Sequence, residues 1–114
     1  MLKIYHNPRC SKSRETLAFL RDKGLEPEII QYLKNPLDKQ QLIDLFTKAN
    51  LSVREAMRQN EKVYKELGLD NPALSDDELL AAIEENPRLM NRPFVVTEKG
   101  ARLCRPTELV EEIL

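Results

Sequence analysis

The first 32 residues leave this chain few folds to choose from. Leu2 and Ile4 alternate with Lys3 and Tyr5, the period of a half-buried strand. A Pro-containing loop follows. Residues 11–23 then read as a helix with Leu17, Leu20 and Phe19 inward, and Gly24 stands where a helix stops. Glu28-Ile29-Ile30-Gln31-Tyr32 reads as a second strand. A strand, a helix and a strand this close together predict a right-handed βαβ unit with parallel strands.

The middle of the chain is helical. Asn35-Pro36 marks a turn, after which Asp38 and Gln41 have the spacing of a capping box. Leu42, Leu45, Phe46 and Ala49 recur at i, i+3, i+4, i+7, the stripe of an amphipathic helix. Two shorter helical pieces are expected at Val53–Arg58 and Lys62–Leu67, and Asp70-Asn71-Pro72 breaks the chain. Ser75 with Glu78 forms a second capping box, opening a helix with Leu79, Leu80 and Ile83 on its apolar side. Pro93–Thr97 reads as a strand, Glu98-Lys99-Gly100 as a tight turn and Ala101–Cys104 as the hairpin partner. Pro106 suits the first turn of a final helix carrying Leu109, Val110 and Ile113. The order β-α-β, helical block, β-β-α predicts an α/β fold. It is a four-stranded mixed sheet like that of thioredoxin, one domain over 1–114 with a helical insertion at about 38–86.

Composition excludes several classes. A net charge of −1 argues against a nucleic-acid-binding surface. No apolar run approaches the roughly 20 residues of a membrane span, and no basic-then-apolar leader opens the chain. Two cysteines far apart, Cys10 and Cys104, do not make a disulfide framework and predict a reducing, cytoplasmic setting. With the lone His6, they are too few for a structural zinc site.

The chemistry concentrates at Cys10. It sits in Tyr5-His6-Asn7-Pro8-Arg9-Cys10-Ser11-Lys12-Ser13-Arg14, at the entry to the first helix. A helix N-terminus with cations nearby lowers a thiol pKa from about 8.5 into a range of roughly 3.5–7.5. The N–H groups there also favour a bound anion. Arg9, Lys12, Arg14 and His6 are the local candidates for tuning the sulfur. Arg9 and Arg54 are otherwise expected as solvated charges, and Cys104 as a core residue. Arg92 precedes Pro93 at the start of a strand, the place where a thioredoxin-like sheet carries a cis proline beside its active-site cysteine. A guanidinium there binds oxyanions through paired hydrogen bonds.

These segments resemble a known family. His6-Asn7-Pro8-x-Cys10-x-x-Ser13-Arg14, Asn91-Arg92-Pro93-x-Val95-Val96 and Arg102-Leu103-Cys104-Arg105-Pro106 are similar to motifs of the glutaredoxin-coupled arsenate reductases. Ser52-Val53-Arg54, Arg58-x-Asn60 and Tyr64-x-Glu66-Leu67-Gly68-Leu69 fit the same pattern, so the likeness runs along the whole chain. The resemblance implies that Cys10 attacks arsenate to form a covalent adduct and that Arg58, Arg92 and Arg105 bind the oxyanion. His6 would help hold Cys10 as thiolate, and Ser13 and Arg14 would belong to the anion-binding loop. Glutathione as co-substrate would attack the adduct and glutaredoxin would resolve the mixed disulfide, with no metal or bound cofactor on this chain. The family usually has Gly-Thr after the cysteine, where this chain has Ser11-Lys12. Two other readings stand beside this one: a glutaredoxin-like thiol oxidoreductase with a different substrate, and a non-enzymatic regulator that binds RNA polymerase. A redox-switch version of the regulator needs a cysteine at position 13, which is Ser13.

Overall fold

The computed structural model describes all residues from Met1 to Leu114. The chain divides into two compact units, Met1–Asn35 with Arg92–Leu114, and Pro36–Asn91.

The first unit is built on the βαβ start. Strand β1 (Leu2–Tyr5) leads through the Pro8 loop into helix α1 (Ser11–Asp22), which returns to strand β2 (Glu28–Ile30), parallel to β1. Near the other end of the chain, β3 (Phe94–Thr97) and β4 (Gly100–Leu103) form a hairpin, and β3 pairs antiparallel with β1. The strand order β2-β1-β3-β4 is that of a thioredoxin-like mixed sheet. Register puts Ile4 opposite both Ile29 and Val95, so one β1 side chain lies at the centre of the sheet. Ile4, Leu17, Leu20, Val95, Cys104, Val110 and Ile113 make the core. Burying a side chain such as Leu20 stabilises the fold by about 1.5–3 kcal/mol.

Helix α1 buries Ser13, Thr16, Leu17 and Leu20, an i, i+3, i+4, i+7 stripe. Phe19 falls beside that stripe instead of on it; it is half-buried, with the Lys23 ammonium 4.9 Å above its ring. Gly24 ends the helix at φ +79°, a conformation that a Cβ disfavours. Strand β2 is shorter than expected. The Gln31 carbonyl accepts from the N–H groups of Lys34 and Asn35, so the chain turns before Tyr32 can continue the ladder.

The hairpin is also tighter than its sequence implies. Gly100 pairs with Thr97 as the first residue of β4, and Cys104 lies just beyond that strand. The last element is a 3₁₀ helix, Thr107–Ile113, with Pro106 preceding it as its cap. Three residues per turn align Thr107, Val110 and Ile113 as its buried line, so Thr107 takes the place expected of Leu109.

In the second unit, helices α2 (Lys39–Lys48) and α4 (Asp76–Glu85) pack together. Both begin with complete capping boxes, Asp38 with Gln41 and Ser75 with Glu78. Between them lies the short helix α3 (Lys62–Glu66). Val53–Arg58, expected as helical, forms consecutive turns instead. Its end pairs with residues distant in sequence: Met57 bridges Met90, Arg58 N–H donates to Leu89 O, and Asn91 N–H donates to Ala56 O. The Arg58 N–H thus takes the Leu89 carbonyl in place of the Arg54 carbonyl that a continuing helix would offer. Arg54, expected as a solvated charge, donates to Tyr64 Oη at 2.9 Å, Leu69 O at 2.6 Å and Asn71 O at 3.0 Å, tying the α3 region to the preceding turns.

Candidate active site

The Cys10 loop is shaped by Asn7. Its carbonyl accepts the Cys10 N–H at 3.0 Å, and its Oδ1 accepts the Arg9 N–H at 3.0 Å. These bonds fold residues 7–10 into a turn and deliver Cys10 to the N-cap of α1 in an extended conformation, φ −96° and ψ 122°. An N-cap side chain normally offers an oxygen to the N–H groups of the first turn. Cys10 offers sulfur and makes no side-chain cap hydrogen bond, whereas Asp38 and Ser75 each make one. Lys12 and Ser13, the second and third residues of α1, carry the N–H groups that an N-cap side chain addresses, and with Arg92 they lower the thiol pKa.

Cys10 is 8% exposed. Burial pushes its thiol pKa up. The Ser13 N–H, the Arg92 charge and hydrogen bond, and the Lys12 N–H together outweigh burial and hold it below the ordinary thiol value. The sulfur is thereby biased toward thiolate. Of the arginines read as candidate anion binders, Arg92 supplies the charge that acts on it, from the segment before β3.

The local cations are occupied elsewhere. Arg14 donates to Pro8 O at 2.9 Å, bracing the loop. Lys12 Nζ lies 3.5 Å from Glu15 on the exposed side of α1. Arg9 is exposed. The sequence places three cations beside Cys10; the structure gives their expected electrostatic task to Arg92 and two backbone amides.

His6 is buried, and its Nδ1 lies 2.6 Å from Ser13 Oγ, which also accepts the Asn7 N–H at 3.0 Å. Burial first, then the positive charges of Arg21 and Arg14, hold the His6 pKa below the usual imidazole value. A neutral ring suits its position. The imidazole is hydrogen-bonded to the side chain of Ser13, the third residue of the helix that Cys10 caps.

Arg92 and Arg105 come together through the backbone. The Arg92–Pro93 and Arg105–Pro106 peptide bonds are both cis. Cys104 N–H donates to Pro93 O at 2.9 Å, and Arg105 Nη1 donates to Arg92 O at 3.2 Å. These bonds extend the β3–β4 pairing past the end of the hairpin and tether the two arginines to each other. Pro93 is buried and Arg105 exposed. Arg58 belongs to the second unit. There its guanidinium lies 3.4 Å from Glu61, a carboxylate that also sits 3.7 Å from Arg88. Cys104 is fully buried, and burial first pushes its thiol up to about 12, against the weaker pull of the Val95 N–H and Arg102. It is an inert core thiol.

The sequence reading passed over Thr16 and Thr107. Both are buried, and their hydroxyl oxygens are 3.3 Å apart. The available signal was a polar Thr16 on the same helical stripe as Leu17 and Leu20.

Taken together, the site offers a thiol with a lowered pKa, helix-terminal N–H donors and guanidinium groups suited to a tetrahedral oxyanion. Comparison with known proteins points the same way. The ArsC family model matches residues 5–113. An arsenate reductase of Rhizobium meliloti is 51% identical over 111 residues, 97% of this chain and 79% of its own. The uncharacterized protein YfgD of Escherichia coli is 52% identical over 114 residues, 99% of this chain and 96% of its own. Among solved structures, an arsenate reductase from Vibrio cholerae superposes with a TM-score of 0.96 at 49% identity, covering 99% of this chain and 97% of that one.

Proposed function

Because the chain belongs to the ArsC family, we propose that it reduces arsenate to arsenite through a covalent adduct on Cys10, with glutathione and glutaredoxin as the thiol donors. The observation that carries this reading is Cys10 at the N-cap of α1, where the Ser13 and Lys12 amides and Arg92 lower its thiol pKa against burial.

The chemistry balances with thiols alone. Cys10 thiolate attacks arsenic and displaces one oxygen, which leaves as water after protonation; arsenic remains pentavalent. The attack brings like charges together, so preorganised donors are needed to offset the repulsion. Glutathione thiolate then attacks the Cys10 sulfur. An S–S bond forms, the S–As electron pair stays with arsenic, and arsenite departs with arsenic reduced by two electrons. A second thiol, that of glutaredoxin, frees Cys10 by exchange.

Within this reading Arg92 serves both the thiolate and the oxyanion, and Arg105, tethered to the Arg92 carbonyl, presents its remaining donors to the anion. Arg58 carries the same assignment by resemblance. Binding an anion would require it to share or exchange its Glu61 partner. His6, Ser13, Arg14 and Pro93 shape the loop and its surroundings. A reducing cytoplasm suits a free catalytic thiol.

The test is arsenate-dependent NADPH consumption with purified protein, glutathione, glutaredoxin and glutathione reductase. Cys10→Ser should abolish it. Arg92→Ala and Arg105→Ala should each lower kcat/KM for arsenate by about 10–100-fold, the loss of a charge-assisted hydrogen bond. A wild-type protein with rapidly alkylated Cys10 but no arsenate dependence would defeat the substrate assignment and favour a thiol oxidoreductase acting on something else.

A further inference from the structure

Helix α1 and the segment after Arg105 are joined by two buried hydroxyls. Thr16 Oγ1 donates to Lys12 O at 3.0 Å, the carbonyl one turn back in α1. That bond commits its only proton. The 3.3 Å contact with Thr107 Oγ1 is therefore donated by Thr107. The Lys12 carbonyl belongs to the same peptide group as the Ser13 N–H, the third amide of the helix that Cys10 caps and one that lowers the Cys10 pKa.

We propose that Thr107 and Thr16 are positioning residues: they form a one-way hydroxyl relay through the Lys12–Ser13 peptide that strengthens and orients the Ser13 N–H toward Cys10. A donor on a carbonyl polarises its peptide group and makes the attached N–H a stronger donor, and chained bonds reinforce one another by about 10–30% each. Thr back-bonding to an i−4 carbonyl is common within helices. The distinguishing feature is the second hydroxyl, supplied from a segment 91 residues away.

The relay also has a place in the architecture of the site. Thr107 follows Pro106, next to Arg105, while Lys12 and Ser13 lie in the first turn of α1. One bond therefore registers the Arg105 segment against the helix that carries the sulfur. This inference rests on the reading of Cys10 as an activated nucleophile, but it does not need arsenate to be the substrate. The charged side chain facing the sulfur is Arg92, and the neutral His6 acts through Ser13 Oγ. The Thr16 hydroxyl bonds to the Lys12 carbonyl and to the Thr107 hydroxyl.

The test is Cys10 alkylation by iodoacetamide without arsenate, with the rate below the thiol titration divided by the rate at alkaline pH. Thr107→Val should lower that ratio roughly twofold, the share that a chained bond adds to a charge-assisted one. Thr107→Ser should restore it. Thr16→Val, which breaks both bonds, should lower it at least as far. A ratio unchanged in folded Thr107→Val, or one that Thr107→Ser fails to restore, overturns the relay. A purely structural role would lower the melting temperature and leave the ratio alone. If neither valine variant folds, NMR of the wild-type protein decides: the relay predicts slowly exchanging hydroxyl protons on both threonines, and their absence overturns it. Failure of arsenate turnover with a normal alkylation result would count against the substrate and not against the relay.

Discussion

Replacing Arg92 with alanine should slow Cys10 alkylation selectively at low pH. Arg92 acts on the sulfur twice, through its charge and through a hydrogen bond, whereas Arg14 and Lys12 point at other partners. A hydrogen bond to a charged group contributes about 1.5–3 kcal/mol. Arg92 is half-buried, so solvent screens part of this and the lower end applies. About 1.4 kcal/mol corresponds to a tenfold change in the ionisation equilibrium. Below the titration, the thiolate fraction and the alkylation rate of Arg92→Ala should therefore fall about tenfold. At alkaline pH, where both proteins are fully ionised, the variant should match or slightly exceed wild type, because a more basic thiolate is the better nucleophile. Mass spectrometry would confirm that the label sits on Cys10. Arg14→Ala is the informative control, since its guanidinium is held by Pro8 O; it should change the low-pH rate less than threefold, its effect limited to loosening the loop. An unchanged low-pH rate in Arg92→Ala, or an equal loss in Arg14→Ala, would show that the local cations hold the thiolate and that the long-range assignment is wrong.

Two further outcomes follow from the same geometry. His6 is the single histidine, so its imidazole resonances titrate without ambiguity by NMR; the midpoint should lie below the ordinary value of 6.5. A histidine held neutral by folding costs stability as acid forces a proton onto the unfolded chain first. Folding stability attributable to His6 should thus be complete above about pH 6.5 and decline as pH falls through that value. Cys104 should resist alkylation in the native protein while Cys10 is labelled, and react only on unfolding. Modification of both at similar rates would refute its placement in the core.

The parts of the fold legible in the sequence were those whose cause is local. The Asp38–Gln41 and Ser75–Glu78 boxes are written within four residues each, and both form as read. Gly24 stops α1 because its backbone must take a positive φ, a requirement that any sequence displays directly. The misread elements have distant causes. Val53–Arg58 has helical composition, but its backbone groups find Leu89 and Asn91, and no local periodicity announces that. The final helix is wound to three residues per turn, with the Ile113 carbonyl accepting from Thr97 in β3 at 2.6 Å, so its buried line includes Thr107 and passes Leu109 by. The same division holds at the site. Cys10 and its loop could be picked out from ten consecutive residues. The charge acting on the sulfur comes from Arg92, in a segment that the sequence placed near Cys10 only through the expected position of Pro93 in a thioredoxin-like sheet.

A sulfur in the N-cap position also biases the energetics of resetting the site. The amides and guanidinium that favour the thiolate lose their charged partner when Cys10 enters a neutral disulfide. Stabilising the reduced form in this way makes any disulfide at Cys10 oxidising, and the low thiol pKa makes Cys10 a good leaving group when another thiol attacks its partner sulfur. In the proposed reaction, the same contacts that prepare the nucleophile would also favour release of Cys10 from a mixed disulfide.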